Sequence, residues 1–147
     1  MSDKILIIGK GFLGSAIFST CQNAGIHVLG THYNKSIPII DITNINSIEK
    51  VANEFRPDLI INCAALTNLE QIESNPERAY AINAYGAKNI AAVSKQNKIK
   101  MIHVSTDSVF DGIKGMYHEN DIPNPINEYA KSKKLGEDFV KETLDKH

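Results

Sequence analysis

The first 25 residues place a short apolar run, a glycine-rich turn and a helical segment one after another. Lys4–Ile8 is rich in branched side chains, as is typical of a strand buried on both faces of a parallel sheet. The turn has the spacing G-x-G-x-x-G, which permits a tight bend and the close approach of a pyrophosphate to the backbone. Glycines at this spacing also occur where they simply pack a helix on a strand. The context favours a dinucleotide-binding turn formed by Gly9, Lys10, Gly11, Phe12, Leu13 and Gly14.

Strand-like and helical segments alternate along the rest of the chain. Apolar runs at residues 26–30, 37–42, 59–65 and 100–104 predict four more strands, and residues 45–55 and 76–97 have helical patterns. Strands that alternate with helices predict a parallel sheet. We therefore expect residues 1–147 to form a single dinucleotide-binding domain. Its fold would be a Rossmann-type doubly wound α/β sheet of at least five strands, with helices on both faces and right-handed crossovers.

Composition excludes several classes of partner. The 147 residues carry a formal net charge of −1, which favours neither nucleic acid nor an anionic membrane as a partner. No apolar run approaches membrane-spanning length, and the start of the chain lacks signal-peptide architecture. Cys21 and Cys63 lie far apart without metal-ligand spacing, so we expect reduced thiols, no metal site and a cytoplasmic location.

The end of the second predicted strand bears on the choice of coenzyme. NAD sites usually place Asp or Glu there to bind the adenosine ribose, whereas residues 31–35 contain no acid. Lys10, His32 and Lys35 could instead contact a 2′-phosphate, or they are ordinary polar loop residues. The pattern favours NADP(H) over NAD(H) without excluding either coenzyme.

Two polar residues elsewhere each allow two interpretations. Asp41 could accept a hydrogen bond from an adenine amino group, or it could cap the next helix, a role that Thr43 and Asn44 also suit. Asn83 lies among apolar residues of the long predicted helix. It is either exposed, or buried with hydrogen-bond partners or a water that it holds in place.

The strongest candidates for catalysis lie late in the chain. Tyr129 precedes Lys133 by four residues in a segment of helical pattern, so both side chains share one helical face. An ammonium near a phenol favours the phenolate, and such a tyrosine can deliver a proton to a carbonyl oxygen. Ser105 and Thr106 follow the last predicted strand, at the sheet edge where ligands of α/β proteins bind. Tyr and Lys at this spacing are also common on solvated helices.

Taken together, these motifs resemble those of the extended short-chain dehydrogenase/reductases, most closely the dTDP-4-dehydrorhamnose reductases. The resemblance covers the chain from Lys4 to about Asp138. Four groups of residues carry it: residues 61–65 with Thr67; Asn83 with Gly86 and Asn89; residues 105–112; and residues 117–119 leading into residues 124–125 and 129–137.

The resemblance implies a function and a set of roles. Tyr129 would donate the proton, and Lys133 would assist it and hold the nicotinamide ribose. Thr106, with Ser105, would bind the keto oxygen. Coenzyme contacts would come from Gly9, Gly11, Gly14, Asp41, Ile42, Cys63, Ala64, Ala65 and Thr67, with Asn83 as a structural or water-holding residue. The implied reaction is NAD(P)H-dependent reduction of a 4-keto group on a nucleotide-linked 6-deoxysugar, in rhamnose synthesis.

The chain departs from the family pattern in three places. The family spaces its first turn as G-x-x-G-x-x-G, and it has Tyr where Ser108 stands. Its substrate lobe would lie beyond His147. Two hypotheses follow, a nucleotide-sugar reductase or the coenzyme-binding half of one, and a coenzyme-binding module without turnover, like the regulatory subunit of methionine adenosyltransferase. We also expect self-association at the open sheet edge, or a partner that supplies the missing lobe.

Overall fold

A parallel four-stranded sheet organises the chain. The computed structural model describes residues 3–32 and 38–144. Within these ranges the strands are β1 (Lys4–Ile8), β2 (His27–Thr31), β3 (Leu59–Asn62) and β4 (Lys100–His103), in the spatial order β2-β1-β3-β4. All three pairings are parallel. The order places the glycine turn after β1 at the centre of the carboxyl edge of the sheet.

Helices connect the strands. They are α1 (Phe12–Asn23), α2 (Ile45–Phe55), α3 (Leu69–Ser74), α4 (Pro76–Ala79), α5 (Ala87–Gln96) and α6 (Glu128–Leu144). A π-helical segment, Tyr80–Gly86, joins α4 to α5 without a break, so the long predicted helix is confirmed in extent but not in regularity. The short helix α3 was not predicted. Within the described residues, no helix is both long and apolar enough to cross a membrane.

Both faces of the sheet are covered, as predicted. Ile7 faces α1, because a Cβ added at Gly14 would lie 3.4 Å from its Cγ2. Side chains alternate along a strand, so Leu6 and Ile8 point to the opposite face. There they join a cluster that includes Ile48 of α2 and Ile90 of α5. Each fully buried aliphatic side chain contributes about 1.5–3 kcal/mol.

The strand predicted over residues 37–42 does not join the sheet. Residue 37 lies outside the described residues, and Ile39 forms an isolated parallel bridge with His32. Asp41 Oδ1 accepts hydrogen bonds from the Thr43 N–H (3.0 Å) and hydroxyl (2.7 Å), which turns the chain. Ile40 and Ile42 are buried in the core. The apolar pattern therefore reflects the burial of Ile40 and Ile42 and not a strand of the sheet. The prediction of at least five strands is wrong for the described residues.

Candidate active site

A cleft of about 490 Å³ follows the carboxyl edge of the sheet. It is lined by the ends of β1 and β2, the loop after β3, the turn before α2, Arg78 of α4, and Ala81 and Ile82 of the π-helical segment. Eight of the predicted coenzyme residues lie on its walls: Gly9, Gly11, His32, Asp41, Ile42, Cys63, Ala64 and Ala65. This is the edge at which open α/β sheets bind ligands.

The glycine turn is held by backbone contacts. The N–H groups of Gly9 and Lys10 both donate to the Thr31 carbonyl, at 3.1 and 2.9 Å. Gly9 has φ +93°, and a Cβ there would lie 2.5 Å from the Ala64 backbone nitrogen. At Gly11 a Cβ would meet no protein atom within 4 Å, although Gly11 lines the cleft. The turn therefore leaves room for a ligand to approach the backbone.

Other residues of the turn lie away from the cleft walls. Helix α1 begins at Phe12, three residues earlier than predicted, and the side chains of Phe12 and Leu13 point to solvent. Lys10 extends across Gly30, and its Nζ lies 3.9 Å from the centroid of the Phe18 ring. That cation–π contact occupies the ammonium that was a candidate for the 2′-phosphate. Lys35, the third basic candidate, lies outside the described residues.

Asp41 does not cap α2. Asn44 takes that position, and its Oδ1 accepts from the Asn46 N–H at 3.1 Å. The capping interpretation of Asp41 is therefore wrong, because its carboxylate is bonded to Thr43 instead. Asp41 and Ile42 both line the cleft, and the Ile42 carbonyl accepts from Asn89 at 2.9 Å.

Tyr129 lies in the first turn of α6, and contacts to earlier helices fix that turn. The Tyr80 hydroxyl donates to Glu128 Oε2 at 2.9 Å, and the Glu128 N–H donates to Glu73 Oε1 at 2.8 Å. Asn127 Oδ1 accepts from the Ala130 N–H at 2.8 Å, which satisfies one free donor at the start of the helix. The half-buried Tyr129 is thus held on a firmly anchored turn.

Lys133 is buried one turn further along α6, with 2% of its surface exposed. Its Nζ donates to the Val104 carbonyl at 2.6 Å, just past the end of β4. Burial lowers the pKa of the Lys133 ammonium, and the carboxylate of Glu137 partly opposes that shift. Burial also raises the pKa of the Cys63 thiol, against the opposing effect of Lys133.

Ser105 and Thr106 follow β4 at the same edge, and both are half-buried. The Ser105 hydroxyl donates to the Glu137 carboxylate of α6. Thr106 Oγ1 accepts from the Ser108 N–H at 3.2 Å and so caps the 3-10 turn Asp107–Val109. The structure therefore brings residues 105–106 against the helix that carries Tyr129 and Lys133.

Asn83 is buried inside the π-helical segment and is 1% exposed. Its Nδ2 donates to the Leu66 carbonyl and to Ser132 Oγ, both at 3.0 Å, and its Oδ1 accepts from the Leu66 N–H at 2.8 Å. Because both amide hydrogens are used within the protein, Asn83 has no donor left for a coenzyme. These bonds agree with the buried, hydrogen-bonded interpretation of Asn83 and contradict the exposed one, and the structural role that the resemblance implies stays a prediction. Thr67, one residue beyond Leu66, is exposed and does not line the cleft.

Two functional candidates, the hydrogen-bonded pair of Asn62 with His103 and the cation Arg78, were missed by the sequence patterns. Asn62 Oδ1 accepts from the Ala64 N–H at 3.1 Å, and its Nδ2 bonds to His103 Nδ1 at 3.0 Å. Burial, with a smaller contribution from Lys133, lowers the pKa of His103 to about 4. Asn62 and His103 occupy paired positions on β3 and β4, a proximity that strand register could have revealed. The second missed candidate, Arg78, lies on α4 and lines the cleft.

The sheet order, the glycine turn and the cleft at the carboxyl edge define a Rossmann-type α/β fold. The chain belongs to the family described as the RmlD substrate binding domain, which matches residues 3–147.

Similar proteins include enzymes and a regulatory subunit. The chain is 40% identical over 140 residues to a probable low-salt glycan biosynthesis reductase, Agl14, of Haloferax volcanii, covering 90% of this chain and 47% of that protein. It is 36% identical over 143 residues to the methionine adenosyltransferase 2 subunit beta of Xenopus laevis, covering 95% and 43%.

A solved structure shares the fold closely. The dTDP-4-dehydrorhamnose reductase of Bacillus anthracis, crystallised in complex with NADP, superposes with a TM-score of 0.90 and 38% identity, covering 97% of this chain and 50% of that one. The chain therefore spans about half the length of the relatives that it matches.

Proposed function

We propose that this chain carries the coenzyme site and the proton donor of an NAD(P)H-dependent reductase that acts on a nucleotide-linked 4-keto-6-deoxysugar. One observation carries the proposal. Tyr129 precedes the buried Lys133 by one turn of α6, and Lys133 is bonded to Val104 beside Thr106, at the edge of the sheet that forms the cleft. The NADP-bound reductase of the same fold supports it.

The described residues fit a dinucleotide. Gly11 leaves open space beside the cleft, and the walls at Ala64 and Ala65 are small enough to admit a flat ring. Asp41 and Ile42 would face the adenine, the glycine turn the pyrophosphate, and Lys133 the nicotinamide ribose. When bound, the reduced coenzyme supplies a hydride to the carbonyl carbon and is itself oxidised.

The chain's own residues complete the reduction. As the carbonyl electron pair moves onto oxygen, the Tyr129 hydroxyl gives its proton to that oxygen, and the phenolate is then reprotonated from solvent. A ketone, the reduced coenzyme and one proton thus yield an alcohol and the oxidised coenzyme. Thr106 would orient the keto oxygen with its hydroxyl, and the Lys133 ammonium would stabilise the transient phenolate.

Replacing Tyr129 by Phe tests this role. We expect coenzyme oxidation with a dTDP-4-keto-6-deoxysugar to fall by about 10²–10⁴-fold, because the proton donor is removed. The matched control is Tyr85→Phe, which deletes the hydroxyl of an exposed tyrosine and should keep full activity. Equal rates in the two variants would remove Tyr129 from the mechanism.

A second function is favoured by the similarity to subunit beta of methionine adenosyltransferase 2. We propose it as the alternative, a module that binds NAD(P)(H) without turnover. Coenzyme binding by the wild type with no oxidation of the keto sugar would support the module. Self-association at the β4 edge, where Ile102 is 51% exposed, stays a prediction for sedimentation to test.

A further inference from the structure

Arg78 brings a positive charge to the cleft, at a place away from the turn after β2. It lines the cleft with Ala81 and Ile82, which lie three and four residues further along the same helical run. Residues at that spacing share one helical face, so Arg78 faces the cleft at the start of that run. Pro76, at the first helical position, and the bonded Asn83 fix the wall that carries it.

The charge of Arg78 is available to a ligand. Among the described residues that line the cleft, Arg78 is the one Lys or Arg side chain. The structure gives it no ion pair within residues 3–32 and 38–144, and its side chain is exposed. Asp41 across the cleft is bonded to Thr43, and Lys10 lies on the Phe18 ring.

We propose that Arg78 contacts a phosphate in the adenosine half of the dinucleotide and strengthens coenzyme binding from the helical wall. This inference rests on the coenzyme site proposed above. A guanidinium can bind phosphate oxygens through two N–H donors at once, and it stays charged at any physiological pH. The partner of Arg78 is then one of two groups of the same coenzyme, the pyrophosphate or the 2′-phosphate.

Titration calorimetry with NADPH and with NADH separates the two sources. In Arg78→Gln we expect NADPH to bind about tenfold more weakly. An equal loss for NADH would assign Arg78 to the pyrophosphate, and a loss confined to NADPH would assign it to the 2′-phosphate. Arg78→Lys keeps the charge but loses the paired N–H donors, so it should bind more weakly than the wild type and more tightly than Arg78→Gln. The Gln variant should also show a weaker dependence of affinity on salt.

The control variant removes one positive charge elsewhere. Lys50 is exposed on α2 and does not line the cleft, so Lys50→Gln should bind both coenzymes as the wild type does. Wild-type affinity in Arg78→Gln, or an equal loss in Lys50→Gln, would overturn the role of Arg78 alone. A wild-type protein that binds neither coenzyme would overturn both this inference and the proposed function. Thermal melting of each variant establishes that it is folded.

Discussion

The two ends of the sheet's carboxyl edge are built from different kinds of contact. At the glycine end, formed by β1, α1 and β2, backbone packs on backbone, with the N–H groups of Gly9 and Lys10 on the Thr31 carbonyl. At the catalytic end, formed by β3, β4, the π-helical segment and α6, side chains do this work. Four buried polar side chains there hydrogen-bond to other segments of the chain: Asn62, Asn83, Ser132 and Lys133.

The difference predicts opposite sensitivities. A turn held by its backbone tolerates loss of side chains but not added atoms at Gly9 and Gly14, which leave no space for a Cβ. A buried polar cluster tolerates little truncation, because each lost partner leaves another polar group without a hydrogen bond. Truncation should therefore damage the catalytic end, and addition should damage the glycine end.

Truncating Asn83 should give the largest effect. In Asn83→Ala the N–H and carbonyl of Leu66 and the hydroxyl of Ser132 all lose a partner. We expect the free energy of unfolding to fall by about 2–5 kcal/mol, as measured by urea denaturation. Asn89→Ala is the control, because Asn89 makes a partly buried bond of 2.9 Å to the Ile42 carbonyl and should cost about 0.5–1.5 kcal/mol. Equal losses would show that the buried cluster is not cooperative.

The pH dependence of stability should also report on the catalytic end, through His103 of β4. The pKa of His103 is about 4 in the folded protein, against an ordinary value of 6.5. Above pH 6.5 the imidazole is neutral in both states. As the pH falls from 6.5 through 4, the unfolded chain takes up a proton that the folded chain does not, so stability is lost, by about 3 kcal/mol in all.

Comparing two histidine variants isolates that contribution. His103→Gln should flatten the dependence of unfolding free energy on pH between 4 and 6.5, measured by denaturation at several pH values. His118 is exposed, so His118→Gln should keep the slope of the wild type. An unchanged slope in His103→Gln would mean that the buried imidazole titrates as it does in the unfolded chain.

The glycine end was the easier part to predict from the sequence. The order of strand, turn and helix is local, so the residues of β1, the turn and α1 could be located without the fold, although α1 begins three residues earlier than predicted. The glycine spacing places Phe12 and Leu13 in the turn, but it cannot show that their side chains face solvent.

The catalytic end depends on distant residues. Tyr129 and Lys133 were identified by their spacing, yet the bonds that fix them join distant parts of the chain. Tyr80 and Glu73 bond to Glu128, next to Tyr129, and Val104 bonds to Lys133, across 29 to 55 positions. The sequence left Asn83 either exposed or buried, and its hydrogen-bond partners could not be predicted. Arg78 was missed because the sequence pattern of coenzyme sites concerns the residues after β2, whereas Arg78 lies on α4 and lines the same cleft.

Adding one carbon at Gly14 should break the glycine end, with a smaller effect than truncation at Asn83. A Cβ there would lie 2.1 Å from the Gly9 carbonyl oxygen, an atom of the backbone that cannot rotate away. Alanine favours a helix over glycine by about 1 kcal/mol, so the clash must exceed that gain. We expect Gly14→Ala to lower the free energy of unfolding by about 1–3 kcal/mol in urea denaturation. Gly11→Ala adds the same carbon where no atom lies within 4 Å, and it should stay within about 0.5 kcal/mol of the wild type. If Gly14→Ala were as stable as Gly11→Ala, the turn would be able to move away from α1. Rigid backbone packing would then not explain the structure of the glycine end.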